Sequence, residues 1–153
     1  MLNGRFAWPA WIQRLRPPSL CHICGAWPSE PFCESCVEQF GQPIARCATC
    51  ALPKLESVCA SCQQEPPPLD RCLAAVNYGH PWSAYIAQFK FQGDVGLTRP
   101  LAQLMRNAPW VEPALETADC VIPIPLSASR LCERGFNQSY ELVKHFAPRK
   151  ADI

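Results

Sequence analysis

The sequence lacks a long apolar segment. None of its apolar runs reaches about 18 residues, the length that a helix needs to cross a bilayer. The first twenty residues contain several aromatic side chains, but Arg5, Pro9, Arg14 and Arg16 interrupt any apolar core of a signal peptide, and no small-residue cleavage site follows. We therefore expect a protein that does not insert into membranes and stays in the cytoplasm.

Basic residues are scarce in the part of the sequence that is richest in cysteine. Residues 20–72 contain three basic residues against six acidic ones, although the whole chain has a formal net charge of +1. Nucleic-acid binding through phosphate groups requires clustered Lys and Arg side chains. The composition of this part argues against strong nucleic-acid affinity and favours a structural or protein-contact role.

Eleven cysteines are many for a chain without an export signal, and in a reducing compartment they indicate metal binding more often than disulfides. Eight of them form four Cys-x-x-Cys pairs, and the last two pairs repeat the first two at a distance of 26 residues. Each pair supplies two thiols from one tight turn, and two pairs complete the tetrahedral shell that Zn²⁺ prefers. The sequence thus predicts two zinc ions, held by Cys21, Cys24, Cys33, Cys36, Cys47, Cys50, Cys59 and Cys62.

Alternatives to this zinc prediction stay open at the level of sequence. A disulfide scaffold, a rubredoxin-like iron site and redox dithiols all use cysteine pairs, although the repeat argues against them. The repeat favours two sequential sites, but an interleaved arrangement, with the first and third pairs sharing one ion, is also compatible. Gly25 follows Cys24 at a position where a metal-binding turn often needs positive φ. We interpret His22 as an exposed residue that does not bind the metal, because four cysteines already fill the shell.

The prolines after the last cysteine pair mark a domain boundary. Residues 63–68 read Gln-Gln-Glu-Pro-Pro-Pro, a stiff extended spacer. The sequence therefore predicts three parts: an N-terminal lead over residues 1–19, a double zinc ribbon over 20–71, and a second domain over 72–153.

The second domain alternates between strand and helix patterns. Residues 72–78 and 120–125 are short apolar runs that predict strands. Apolar residues at three- and four-residue spacing predict helices over residues 81–92, 95–107 and 137–146, with a loop between the second strand and the last helix. Strand, helices, strand and helix in this order form the beginning of an α/β layer.

Three strings in the second domain, following a double four-cysteine ribbon, resemble the ComF family. They are Gln88–Asp94, Val121–Ser127 and Arg134–Ser139, and the Arg-Gly-Phe-Asn-Gln order after Pro-x-Pro is the most specific of them. The resemblance covers nearly all of residues 20–147. It implies a zinc ribbon fused to a type I phosphoribosyltransferase-like domain and a role in handling DNA that bacteria take up.

One departure from the family concerns the binding of phosphorylated ribose. Phosphoribosyltransferases of this type hold the ribose with paired acids at the end of a strand, and the phosphate with a Thr- and Gly-rich loop. Nowhere in this sequence are two acidic residues adjacent, and no threonine precedes a glycine. Residues 72–153 also supply only about two strands, too few for a covered sheet. We expect a chain that is truncated at its C-terminus relative to the family, with an incomplete α/β layer.

The resemblance nevertheless implies three candidate phosphate-binding residues, Ser127, Arg130 and Arg134. In related transferases the loop after the first core strand lies against the pyrophosphate, and arginine side chains can neutralise phosphate oxygens. A solvated loop beside Glu133 would explain the arginines equally well. Asn137 stands where a helix N-cap is expected, and capping alone would explain it. No catalytic residue is predicted.

Three functions stay open at this level. The first is an accessory protein of DNA uptake or utilisation whose second domain binds a phosphorylated ribose. The second is a zinc-ribbon adaptor that contacts a DNA-processing protein without catalysis, and the third is a non-functional fragment. Single-stranded DNA is a further candidate partner.

Overall fold

The computed structural model describes residues 19–53 and 57–146 of the chain. The chain divides into two compact units, Met1–Cys33 and Glu34–Ile153. The predicted domain boundaries stay predictions, and all but the last residue of the N-terminal lead lies outside the described residues. The α-helices in the described ranges are α1 (Glu34–Phe40), α2 (Ala60–Gln64), α3 (Trp82–Phe91), α4 (Thr98–Arg106), α5 (Val111–Thr117), α6 (Ala128–Arg134) and α7 (Gln138–Val143).

Two of the predicted helices are α3 and α4. α3 ends at Phe91, and Gly93 follows with a φ of 69°. The helix predicted over residues 95–107 begins as a 3-10 turn, Val95–Leu97, and continues as α4. Pro100 lies in the first turn of α4, where a backbone N–H would have no partner within the helix. The proline therefore does not break this helix.

The core of the second unit is built by α3, the 3-10 turn and α4. Trp82 and Phe89 of α3 are almost fully buried, as are Leu97 and Leu101. α4 also packs against α7. Burying one such side chain stabilises the fold by about 1.5–3 kcal/mol. This apolar contact explains why the spacing of apolar residues was enough to predict the two helices.

The α/β layer is not confirmed. Neither residues 72–78 nor residues 120–125 form a strand, and the described residues contain only two isolated antiparallel bridges, Ser19 with Ser29 and Arg46 with Pro53. An extended segment becomes a strand only when its backbone groups pair with a neighbouring strand. The described part of the chain offers these two segments no such neighbour. As a result Ile122 and Ile124 remain 78% and 74% exposed.

The predicted loop through Arg130 and Arg134 is wrong, because these residues lie in α6. Ser127 caps this helix, its hydroxyl accepting a hydrogen bond from the Arg130 N–H at 3.4 Å. Gly135, with a φ of 75°, ends it in the left-handed conformation that favours glycine. Serine before a helix and glycine after it are common cap residues, so Ser127 and Gly135 could have predicted both ends of this helix from the sequence. α5 was also missed, since Pro113 looks like a break although it lies in the first turn.

The last predicted helix is present in a shorter form as α7. The Asn137 side-chain oxygen accepts a hydrogen bond from the Tyr140 N–H at 3.1 Å, which confirms the predicted N-cap. The amide nitrogen of the same side chain donates to the Ile124 carbonyl at 3.0 Å. Asn137 therefore also holds the extended segment beside the start of α7. None of the helices in the described ranges combines the length and apolar character needed to cross a bilayer.

Candidate metal centres

The eight paired cysteines gather in two groups of four. Within each group the four Sγ atoms lie within 4.8 Å of one another. The first group is Cys21, Cys24, Cys33 and Cys36, and the second is Cys47, Cys50, Cys59 and Cys62. The grouping is sequential along the chain, so the interleaved arrangement is excluded.

The sulfur positions fit a four-thiolate metal site. Zn–S bonds of about 2.3 Å place the corners of a tetrahedron about 3.8 Å apart. The sulfurs of Cys24 and Cys33 are 3.7 Å apart, and so are those of Cys50 and Cys59. None of the eleven cysteines, all of which lie in the described ranges, forms a disulfide, so neither group is a disulfide cluster. Each group could hold one metal ion, and the four soft thiolate donors are consistent with zinc.

The repeat seen in the sequence extends to the backbone hydrogen bonds. The Gly25 N–H donates to the Cys21 carbonyl at 2.9 Å, and the Ala51 N–H donates to the Cys47 carbonyl at 2.9 Å. Two further bonds of the first half recur in the second half at the same offset of 26 residues, with lengths from 2.8 to 3.0 Å. The bond from Cys21 N–H to the Ala26 carbonyl corresponds to that from Cys47 N–H to the Leu52 carbonyl. The bond from His22 N–H to the Pro31 carbonyl corresponds to that from Ala48 N–H to the Ser57 carbonyl.

The second cysteine pair of each group leads into a helix. Cys36 lies in α1 and Cys62 lies in α2. The backbone N–H that precedes each helix donates to a sulfur of the first pair: Cys33 N–H to Cys21 Sγ and Cys59 N–H to Cys47 Sγ, both at 3.4 Å. Hydrogen bonds of this kind stabilise a thiolate and orient it toward the metal.

The thiols within a group differ in pKa. Burial raises the pKa of Cys21, but backbone hydrogen bonds, the strongest from Cys33, outweigh it and lower the pKa to about 6. Backbone hydrogen bonds, the strongest from Cys50, also lower the pKa of Cys47 to about 6. Burial and the neighbouring thiols raise the pKa of Cys62 to about 12. At neutral pH Cys21 and Cys47 are therefore mainly thiolates, whereas a metal ion must displace the proton of Cys62.

The two groups also differ in exposure. Cys24 of the first group is exposed, while its counterpart Cys50 is half-buried. His22, beside the first group, is exposed, and its ring contacts the edge of Phe32 at a centroid distance of 5.9 Å. The first group of potential ligands consists of four cysteines and does not include His22. This agrees with the interpretation of His22 as a residue that does not bind the metal.

The residue that follows the first pair of each group has a positive φ. The angle is 72° at Gly25, as predicted, and 60° at Ala51, the corresponding position of the second half. A residue with a Cβ atom incurs about 1–2 kcal/mol of strain in this conformation. This position of the turn therefore adopts the left-handed backbone conformation in both halves, with glycine in one and alanine in the other.

This torsion gives a matched pair of substitutions. We expect Gly25→Ala to lower the free energy of unfolding of the zinc-loaded chain by about 1 kcal/mol. A Cβ at position 25 meets no atom within 4 Å, so the effect comes from the torsion alone. Ala51→Gly removes the same strain and should raise stability, although by less than about 1 kcal/mol because a buried methyl group is lost. Urea unfolding followed by circular dichroism measures both; an unchanged stability of Gly25→Ala would contradict the argument.

The three candidate phosphate residues lie together on α6. Ser127 is its N-cap, and Arg130 and Arg134 lie one turn apart. The Arg134 guanidinium donates to the Gln138 side-chain oxygen at 3.0 Å and lies over the Phe91 ring, 5.1 Å from its centroid. Arg134 therefore already has packing partners within the protein. Phosphate binding by these residues stays a prediction.

Arg46 was missed as a functional candidate by the sequence reasoning. One of its terminal nitrogens donates to the Ala51 carbonyl at 3.0 Å, and the other donates to the Asn77 side-chain oxygen at 2.8 Å. Arg46 therefore joins the second metal-binding turn to the segment over residues 72–78. The available signal was its place in the sequence, directly before Cys47 in a region with few basic residues.

Comparison with known proteins finds relatives with informative names. The chain is 30% identical over 141 residues to the DNA utilization protein YhgH of Salmonella typhimurium, which covers 87% of this chain and 62% of the relative. It is 31% identical over 137 residues to the protein of that name from Escherichia coli K12, covering 82% and 59%. It is 30% identical over 128 residues to Competence protein F of Haemophilus influenzae, covering 80% and 55%.

The chain spans about three fifths of the length of the curated relatives it matches. No family model and no solved structure matches it. The chain is therefore a homologue of the DNA utilization protein YhgH and of Competence protein F, and its two four-cysteine groups fit the double zinc ribbon that the resemblance to the ComF family implies.

Proposed function

We propose that the chain is an accessory protein in the utilisation or uptake of DNA. The observation that carries this proposal is its similarity, at about 30% identity over most of its length, to proteins named for DNA utilisation and for competence. The two four-cysteine groups would supply a rigid, metal-stabilised module. The helical part of the second unit would supply the contact to a phosphorylated ribose.

The surface of the ribbon favours contact with a protein partner. Trp27 is 62% exposed in the first unit, and Leu52 is 56% exposed in the second. Contact with a protein partner would bury these apolar side chains, whereas phosphate contacts need the basic residues that residues 20–72 have in small number. We therefore assign the ribbon to docking on a DNA-processing protein, and this adaptor role does not depend on catalysis.

The proposed contact to a phosphorylated ribose lies on α6. The Ser127 hydroxyl and the Arg130 guanidinium are exposed and could bind phosphate oxygens, and Arg134 would have to exchange its contact with Gln138 for one with the ligand. Arginine side chains suit such oxygens because they donate two parallel hydrogen bonds. The helix supplies the scaffold that places these residues on one element.

A genetic experiment tests the proposed function. A strain without the gene should lose growth on DNA as carbon source or the uptake of DNA, and the restored gene should recover it. Cys59→Ser should fail to restore either trait because it removes a metal ligand. Cys120→Ser, which changes an exposed thiol outside both groups, should restore them. Normal growth and uptake in the deletion strain would contradict the proposal. Failure of a Trp27→Ser, Leu52→Ser double variant that still binds metal would favour the adaptor role.

We expect this chain to bind phosphoribosyl pyrophosphate more weakly than the micromolar range. Micromolar affinity requires about 8 kcal/mol. Exposed charge contacts contribute about 0–1 kcal/mol each, and Arg134 is already engaged with Phe91 and Gln138. Calorimetric titration measures the dissociation constant, with Arg130→Gln as the comparison. A micromolar or lower constant would contradict this expectation and mean that other residues build the site.

A further inference from the structure

A cavity of about 210 Å³ lies beside the second four-cysteine group, within the second unit. Its wall includes Arg46 and Cys47 from the metal-binding turn, Arg71 and Cys72 from the segment after the spacer, and Trp110 before α5. The lining contains two guanidinium groups and an indole, and no carboxylate. At about 30 Å³ for a water molecule in the liquid, the cavity has room for a small polar group and the atoms that carry it.

Two side chains of this wall carry buried donors without an acceptor. Arg46 Nε and Trp110 Nε1 are buried and have no hydrogen-bond partner in the described part of the chain. The two terminal nitrogens of Arg46 already donate to Ala51 and Asn77. A buried donor without a partner costs about 1–3 kcal/mol, and native proteins satisfy the large majority of such groups. The wall therefore has an excess of donors that an acceptor-rich ligand would satisfy.

The charges around the cavity select the kind of acceptor. Arg46 and Arg71 bring two positive charges, and neither has an acidic partner within ion-pair distance among the described residues. A four-thiolate group that holds a divalent ion carries a charge of about −2, and Cys47 of that group lies in the same wall. The charge of +2 on the two arginines roughly balances the charge of about −2 on the metal-loaded group. A multiply charged anion therefore gains little from the electrostatic field around the cavity. A singly charged group with several acceptor oxygens fits better.

We propose that this cavity binds a singly charged oxyanion, a carboxylate or a phosphodiester group, with Arg46, Arg71 and the Trp110 indole as its donors. The site is separate from α6, which carries the candidate phosphate residues. It is built from both the ribbon and the segment that follows it. A ribbon isolated at residue 71 would keep Arg46 and Arg71 but lack Trp110 and the wall formed by residues 72–74.

The indole N–H of Trp110 provides a direct readout. The zinc-loaded full chain, with ¹⁵N in its tryptophan indoles, is titrated separately with sodium acetate, with sodium dimethyl phosphate and with sodium chloride at matched ionic strength. Trp110→Phe identifies the Trp110 signal. The expected result is a saturable shift of this signal with acetate, with dimethyl phosphate or with both, and none with chloride. The Trp82 indole, which donates to the Phe40 carbonyl at 2.9 Å, should not move.

A substitution at Arg71 completes the test. Arg71 is exposed, and Arg71→Gln should weaken binding by about fivefold, as loss of an exposed charge contact would. Arg99→Gln, an exposed arginine outside the cavity, should leave the affinity unchanged. A saturable shift with acetate alone would identify the ligand as a carboxylate, and a shift with dimethyl phosphate alone would identify it as a phosphodiester. Absence of a saturable Trp110 shift with both anions, or equal affinity in Arg71→Gln and the unaltered chain, would overturn the proposal.

Discussion

Purified from a zinc-containing medium, the chain is expected to hold two zinc ions per molecule. Both four-cysteine groups place their sulfurs at distances that suit a tetrahedral thiolate site. Structural zinc contributes about 10–16 kcal/mol of folding free energy per site, far more than the small core between residues 20 and 63 can supply. Removing the metal with a chelator should therefore unfold this region. Elemental analysis and circular dichroism before and after chelation measure the two effects.

Substitutions distinguish the ligands from the other cysteines. Cys47→Ser should lower the zinc content from two ions to one, since it removes a ligand of the second group only. Cys120→Ser and Cys132→Ser change exposed thiols outside both groups and should leave two ions bound. A content of one zinc ion or none in the unaltered chain, or iron in place of zinc, would refute the assignment.

Trp82→Ala is expected to lower the free energy of unfolding by about 3–5 kcal/mol, because it truncates a large side chain in the core of the second unit. Trp82 is only 1% exposed, and its ring borders a cavity of about 290 Å³ that Ile86, Phe89 and Leu104 also line. Truncation would enlarge that existing space. It would also remove the hydrogen bond from the indole N–H to the Phe40 carbonyl, which ties α3 to the end of α1.

Two further variants separate these contributions. Trp82→Phe keeps an aromatic ring but removes the donor, so it should cost less than Trp82→Ala. Tyr78→Ala removes a large aromatic side chain that is 73% exposed and should stay within about 0.5 kcal/mol of the unaltered chain. Urea unfolding of the zinc-loaded proteins by circular dichroism gives the values. Equal stability of Trp82→Ala and Tyr78→Ala would show that Trp82 does not anchor the core.

The two four-cysteine groups could be predicted from the sequence because their determinants are local. Two thiols separated by two residues share one turn, and the 26-residue offset indicates which turns belong to equivalent sites. The positive φ at Gly25 followed from the same reasoning. At Ala51 the equivalent torsion could not be recognised from residue type, since alanine seldom adopts it.

The second half of the chain was predictable only where apolar spacing decides the structure. α3 and α4 bury the side chains whose spacing predicted them, such as Phe89 and Leu101. Residues 72–78 and 120–125 have strand composition, but strand formation depends on a neighbour that no local pattern supplies. The cavity beside Arg46 joins residues far apart in sequence, among them Trp110, and no spacing rule links such positions.

The two halves repeat one another in their backbone hydrogen bonds as well as in their cysteine spacing, so the ribbon consists of two copies of one structural unit. A bound structural zinc ion would stabilise each copy by about ten times the strain of a left-handed alanine, so the second copy can carry alanine at position 51. Between the cysteines the two copies present different side chains: one exposes Trp27 to water, and the other carries Arg46 directly beside Cys47.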